Sequence, residues 1–199
     1  MNLIDKAKII HFYQKTVQKH GIGSVQSLGW ANENSQKLRF EALCKNLNLN
    51  DSSVLDVGCG YADLKLFLDD FYKNFQYIGI DISATFLKVA NNIFLNNQNV
   101  ILYQADIYEV DFPKVDYVMA SGIFGVKIYE RKKYFDLISK MFDVCKKAIS
   151  FNMLLPSPST ENLMTFAIEE VRTYCSNLTS NIEIIENYLP NDFTIQLRK

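Results

Sequence analysis

The segment Val54-Leu55-Asp56-Val57-Gly58-Cys59-Gly60 has the make-up of a ligand cradle. An apolar run containing one acid stops at two glycines one residue apart, and Tyr61 to Tyr72 then takes helical periodicity. A strand that ends in a Gly-x-Gly turn beneath a helix start can hold a nucleoside or an anion against bare main chain, because glycine reaches φ > 0 and places no Cβ in the way. Asp56 faces the same crevice. Two further acids, Asp81 and Asp106, follow the later apolar runs Gln76–Ile80 and Val100–Gln104. A carboxylate only accepts hydrogen bonds and can take both protons of a ribose diol. Asp81 stands 23 residues after Gly58, the separation expected of a ribose-binding acid. Asp106 can accept from the exocyclic amine of adenine, the amide of Ile107 can meet a ring nitrogen, and Ile82 and Ile107 can sandwich the base. Strands often end in acids merely because they end at solvent. Three such acids in register with a Gly-x-Gly turn outweigh that reading and describe an adenosine pocket.

The elements that must position these residues follow from periodicity. Residues 3–19 form an amphipathic helix with Gly21 as its C-cap, and 21–34 form a loop. Asn34 or Ser35 caps a second helix with Phe40, Leu43, Cys44 and Leu47 inward. From Ser53 strands and helices alternate: a strand at Ser53–Val57 and a helix through Phe71, a strand at Gln76–Ile80, a helix from the Ser83 cap through Leu95, then strands at Val100–Gln104 and Val115–Ala120. A helical stripe runs from Tyr134 to Cys145, a fifth strand spans Ala148–Leu155, and Thr160 caps a last helix with Leu163, Phe166, Val171 and Tyr174 inward. Ile182–Leu189 and Phe193–Arg198 form an antiparallel hairpin across Pro190-Asn191-Asp192. This order predicts an α/β fold: a doubly wound, seven-stranded, mostly parallel sheet with a C-terminal antiparallel hairpin. Ligands of such sheets bind at the carboxyl ends of the strands, where the strand order switches. We read residues 1–199 as one domain, with 1–50 a helical lid and 51–199 the core.

Bulk properties narrow the partners. A formal net charge of −1 and a pI of about 6.1 disfavour unaided nucleic-acid binding, which needs a basic face. No apolar run reaches the roughly 18 residues that span a bilayer. Asp5, Lys6 and Lys8 break up the N-terminal apolar residues, so no signal peptide is expected and the location is read as cytoplasmic. Cys44, Cys59, Cys145 and Cys175 are far apart in the chain, with only His11 and His20 for company, so no metal site is expected.

The turn itself discriminates between cofactors. A dinucleotide fingerprint wants Gly or Ala at its third small position. Here that position is Asp63, which would repel a pyrophosphate, and Asp56 adds negative charge. Both favour a cationic ligand over a nicotinamide dinucleotide. With these residues the chain resembles the class I, seven-stranded S-adenosylmethionine-dependent methyltransferases, which have a Rossmann-like fold. Val54–Gly60 matches their first motif, Tyr77-Ile78-Gly79-Ile80-Asp81-Ile82-Ser83 the second-strand motif, Gln104-Ala105-Asp106-Ile107 the adenine-contacting motif, and Asp116-Tyr117-Val118-Met119-Ala120-Ser121-Gly122 the fourth-strand motif. The resemblance covers about residues 38–199. Tyr61-Ala62-Asp63 departs from it, replacing a small, flexible turn.

The resemblance implies S-adenosylmethionine as methyl donor and S-adenosylhomocysteine as product. The turn Gly58-Cys59-Gly60 should border the methionine part, Asp56 attract its ammonium, Asp81 bind the ribose, and Ile82, Asp106 and Ile107 hold the adenine. Ser121 and Gly122 should border the sulfonium. Ser35, Gln36 and Arg39 share one flank of the second helix. From there Arg39 can clamp the methionine carboxylate with Trp30 covering it, or simply sit in a surface salt bridge. Methyl transfer is an in-line displacement, and no general base declares itself. Candidates near the acceptor are His20 and His11 on the lid, and Lys127, Tyr129 and Asn152 near the ends of the fourth and fifth strands, with Phe124 as an apolar wall. The Asn-Pro-Pro-Tyr type motif of amino-base methyltransferases is absent after the fourth strand, where Ser121-Gly122-Ile123-Phe124 stands, so DNA amino groups are not the expected acceptor. The expected activity is methylation of a small-molecule oxygen or nitrogen. The competing expectation is a non-catalytic sensor or partner subunit that only binds the donor.

Overall fold

The computed structural model describes residues 1–199. Its helices are α1 (Leu3–His20), α2 (Glu33–Cys44), α3 (Asp63–Asp69), α4 (Ala84–Ile93), α5 (Lys132–Val144) and α6 (Ile168–Cys175). Its strands are β1 (Ser53–Val57), β2 (Gln76–Asp81), β3 (Val100–Gln104), β4 (Val115–Ala120), β5 (Cys145–Leu154), β6 (Ile182–Ile185) and β7 (Asp192–Arg198). They form one seven-stranded sheet in the order β3-β2-β1-β4-β5-β7-β6. Only β7 runs antiparallel, to β5 on one side and to β6 on the other.

Strand alternation divides the core in two. Leu55 and Val57 of β1 join the apolar cluster that includes Leu137, Ile138 and Met141 of α5, while Val54 joins the cluster of Phe40 and Leu43 of α2 and Leu87 of α4. With both faces covered, the central strands are nearly continuous apolar runs, and the order reverses between β1 and β4. The rim above that reversal holds the ligand-type residues.

Three elements differ from the sequence expectation. Asn32 caps α2 in place of Asn34 or Ser35: its side chain accepts from Ser35 N, and Ser35 Oγ returns the bond in a capping box. Thr160 caps no helix. Pro158–Thr160 is a 3-10 turn, and α6 starts at Ile168. The chain between them is held by Met164 N donating to Gly125 O and Phe166 N to Leu154 O, so its apolar residues pack without forming a helix. Finally, β6 ends at Ile185, and Asn187 takes a left-handed φ of 66°. Within residues 1–50, α2 belongs to the sheet-packed layer: Gln196 Nε2 of β7 donates to Leu43 O at 3.0 Å. Helix α1, the following 3-10 turn Val25–Leu28 and Trp30 line the cavity at the strand ends. No helix is long and apolar enough to cross a membrane.

Candidate cofactor and acceptor site

A cavity of about 670 Å³ opens along the carboxyl ends of β1 to β5. It lies within the size range of small-molecule sites. Trp30, Arg39, Asp56, Gly58, Cys59, Gly60, Asp81, Ile82, Asp106, Ile107, Ser121 and Gly122 all line it, together with Lys127 and Asn152.

The strand-end carboxylates are each tied differently. Asp81 Oδ1 accepts from Ser83 N at 2.7 Å and Oδ2 from Gly60 N at 2.9 Å, so this acid closes the glycine turn as well as facing the cavity. Burial pushes its pKa up, while the amide bonds oppose the rise. Asp56 Oδ2 accepts from Tyr77 Oη at 2.5 Å on the neighbouring strand. Burial pushes Asp56 up to about 7, against the Tyr77 bond, and the nearby Asp81 and Asp63 add to the rise. Asp106 Oδ1 accepts from Tyr108 N at 3.0 Å, but its Oδ2 is buried without a hydrogen-bond partner. The cations nearest to that oxygen, Lys6 Nζ and the Met1 amino group, stand 3.7 and 3.8 Å away. The amide of Ile107 donates to no backbone carbonyl. A buried acceptor beside a free donor is the complement of adenine's 6-amino group and N1. The residues present therefore fit an adenosine ligand on an observation of their own.

Glycine matters at two positions. Gly58 has φ 79°, and a Cβ there would collide with Ile123 Cγ2. Gly122 has φ 82°, and a Cβ would come within 2.6 Å of the Trp30 ring. Between them Tyr61, the departure from the family pattern, turns away from the cavity. Its hydroxyl meets Ser27 Oγ at 2.8 Å and its ring packs edge-on to Phe86. The bulky residue is thus a strut under the covering turn, and Ala62 takes the left-handed conformation, φ 61°, that lets the chain enter α3. Asp63 accepts from Gln36 Nε2 at 2.8 Å.

Of the two expectations for Arg39 the structure shows the salt bridge, and it places His11, His20, Phe124 and Tyr129 outside the cavity. Arg39 does not present a free fork. Its Nε donates to Asp192 Oδ2 at 2.7 Å, its Nη2 pairs with the same oxygen, and its Nη1 donates to Ser35 O at 3.0 Å. Trp30 does cover the guanidinium, 4.8 Å from ring centroid to Cζ, but the carboxylate it clamps is the protein's own. His20, the last residue of α1, is exposed and outside the cavity, as is His11. Tyr129 is 87% exposed and also outside it. Phe124 is fully buried against Phe151, ring centroids 5.1 Å apart, because the 3-10 turn after β4 points it into the core; its neighbour Ile123 forms the cavity wall. Asn152 Oδ1 accepts from Gly122 N at 2.9 Å, and Lys127 Nζ donates to Glu161 O at 2.8 Å.

The sequence reading also missed residues. Phe12 and Tyr13 of α1 line the cavity. Tyr13 packs edge-on to Phe86, and burial and the Asp81 carboxylate push its phenol pKa up. Tyr13 belongs to the apolar stripe of Leu3, Ile10 and Val17, but nothing local said what the stripe covers, and Phe12 lies outside it. Asp192 is the other omission, since its pairing depends on the β5–β7 register that sets it opposite Leu154.

Comparison with known proteins follows the same line. Residues 54–148 match the family model described as a methyltransferase domain. A carboxy-S-adenosyl-L-methionine synthase of Campylobacter jejuni is 30% identical over 101 residues, 50% of this chain and 42% of that protein. A probable (S)-tetrahydroprotoberberine N-methyltransferase of Papaver bracteatum is 30% identical over 96 residues, 46% of this chain and 26% of that protein. The chain thus spans less than half the length of these curated relatives. Among solved structures, magnesium protoporphyrin IX methyltransferase from Synechocystis PCC 6803 with bound SAM superposes with a TM-score of 0.71 at 15% identity, covering 100% of this chain and 98% of that one. The family-model match spans the glycine turn and the strands through Ala148, and the match to the solved structure shows a shared fold over the whole chain.

Proposed function

We propose that this chain is an enzyme that binds S-adenosylmethionine along the carboxyl edge of β1 to β4 and transfers its methyl group to an oxygen or nitrogen of a small-molecule acceptor. The observation that carries the reading is Asp106 Oδ2, buried with no hydrogen-bond partner and only the looser ion pairs to Lys6 and Met1, beside the free amide of Ile107, both residues lining the same cavity as Asp81 and the glycine turn. When bound, the cofactor supplies an electrophilic methyl group on a sulfonium. The protein's own residues do the rest. Asp81 accepts from the ribose hydroxyls while holding the Gly60 amide in place. The Gly58–Gly60 main chain borders the methionine part, and Asp56 lends negative charge toward its ammonium. Phe12, Tyr13, Leu28 and Trp30 cover the cavity and exclude water. Gly122, fixed by Asn152, and Ser121 frame the place where donor and acceptor meet. Holding two reactants in line can recover roughly 7–11 kcal/mol of barrier, so positioning is the main work assigned to this site.

The test has two stages. Titration calorimetry with S-adenosylhomocysteine should show one site per chain. Incubation with methyl-labelled S-adenosylmethionine and a small-metabolite extract should then yield acceptor-dependent labelled product. Tight binding with no acceptor-dependent turnover would replace the enzyme reading with that of a donor-binding sensor or partner subunit.

A further inference from the structure

We infer that Lys140, on α5 and outside the cavity, is a positioning residue that aims the carboxylate of Asp106 and so sets recognition of the adenine base. This inference rests on the S-adenosylmethionine reading above.

The segment that reads the base, residues 105–114, contains neither helix nor strand. It holds itself together through one residue: Asp106 O accepts from Glu109 N at 3.0 Å and Val110 N at 2.9 Å, and Asp106 Oδ1 accepts from Tyr108 N at 3.0 Å. Lys140 ties this turn to the sheet-packed layer. Its Nζ donates to Ile107 O at 3.0 Å and to Val110 O, and it lies 4.3 Å from the centroid of the buried Phe112 ring.

The peptide unit joining Ile107 to Tyr108 is therefore pinned at both ends. Its carbonyl is held by Lys140, and its N–H holds Asp106 Oδ1. If that peptide turns, Oδ1 loses its donor and the carboxylate can rotate out of the orientation it holds at the cavity wall. A lysine outside the cavity thus governs the orientation of a cavity-lining carboxylate whose Oδ2 is buried without a hydrogen-bond partner. A charged donor held by two carbonyls over an aromatic face is a stiff support for a loop with no regular structure.

The test replaces Lys140→Met, which keeps the aliphatic stem over Phe112 and removes the ammonium. S-adenosylhomocysteine is compared with S-inosylhomocysteine, whose 6-oxo group meets Asp106 acceptor to acceptor. The wild type should prefer the adenosyl ligand strongly. In Lys140→Met the adenosyl affinity should fall about tenfold, the lower end of the worth of one charge-assisted hydrogen bond, with little change for the inosyl ligand, so the preference shrinks about tenfold. Lys140→Arg should restore most of it. A general structural role would weaken both ligands equally, and an unchanged ratio overturns the inference. Hydrogen exchange on the ligand-free protein gives a second reading: the amides of Tyr108, Glu109 and Val110 should exchange faster in Lys140→Met while those of α5 do not. If Lys140→Met does not fold, Lys140→Gln takes its place in both measurements. A wild type that fails to bind S-adenosylhomocysteine would instead bring down the cofactor reading itself.

Discussion

Asp81→Asn separates the two tasks this acid performs. Asp81 is 8% exposed and uses both oxygens on main-chain donors, Ser83 N at 2.7 Å and Gly60 N at 2.9 Å. Asparagine has the same shape but turns one acceptor into a donor, so one of those buried amides loses its partner. An unsatisfied buried donor costs about 1–3 kcal/mol. For a domain of this size that corresponds to a fall in Tm of roughly 2–12 °C. Ligand binding should suffer separately. A hydrogen bond from a ribose hydroxyl to a carboxylate is worth about 1.5–3 kcal/mol, so losing one weakens S-adenosylhomocysteine by about 10- to 150-fold. Calorimetry well below the variant's Tm reads the affinity without contamination from unfolding. The 2′,3′-dideoxy analogue provides the control, because it has no diol to donate and should bind wild type and variant alike. A loss of less than threefold for S-adenosylhomocysteine would refute the ribose assignment. An equal loss for the dideoxy analogue would show that the variant acts only by distorting the glycine turn.

Two further perturbations probe the rest of the site. Burial raises the folded pKa of Asp56 from 3.8 to about 7, so the native state holds a proton that the unfolded chain has lost. Stability should therefore fall as pH rises between about 4 and 7 and level off above, and Asp56→Asn should flatten that slope; parallel Tm-against-pH curves would contradict this. A cationic ligand favours the ionised form, so S-adenosylmethionine should bind more tightly as pH rises toward 7 and release protons on binding, visible as a buffer-dependent calorimetric heat. At the other end of the cavity, Arg39→Met strands Asp192, whose side chain is 1% exposed, and should cost about 3–5 kcal/mol in urea unfolding. Adding Asp192→Asn should recover most of that loss, whereas simply additive losses would show that the pair is not coupled.

The order of elements and the residues that line the cavity at the strand ends were legible because their signals are local. Val54–Gly60 contains a strand, a turn and a helix start within a few residues, and Asp81 and Asp106 each follow their own apolar run. Alternating strands and helices left few topologies, so the sheet and its hairpin followed from the pattern. Signals that depend on direction or distance were not legible. Helical spacing after Thr160 suggested a continuous helix, but Met164 and Phe166 spend their amides on Gly125 and Leu154, in other parts of the chain. Whether Ile123 or Phe124 walls the cavity depends on the twist of one short 3-10 turn. Arg39 and Asp192 lie 153 residues apart in sequence, and only the docking of α2 beside β7 makes them partners. The same holds for Lys140, an ordinary helix lysine in sequence that becomes a loop support once α5 packs beneath the β3–β4 connection. By itself, then, the sequence determined the strand-turn-helix cradle and the carboxylates that line the cavity at the strand ends, because each is set by the backbone conformation of adjacent residues. Only the tertiary structure decided which charges are spent on the protein itself and which buried oxygen lacks a hydrogen-bond donor, because hydrogen-bond partners are chosen by proximity in space.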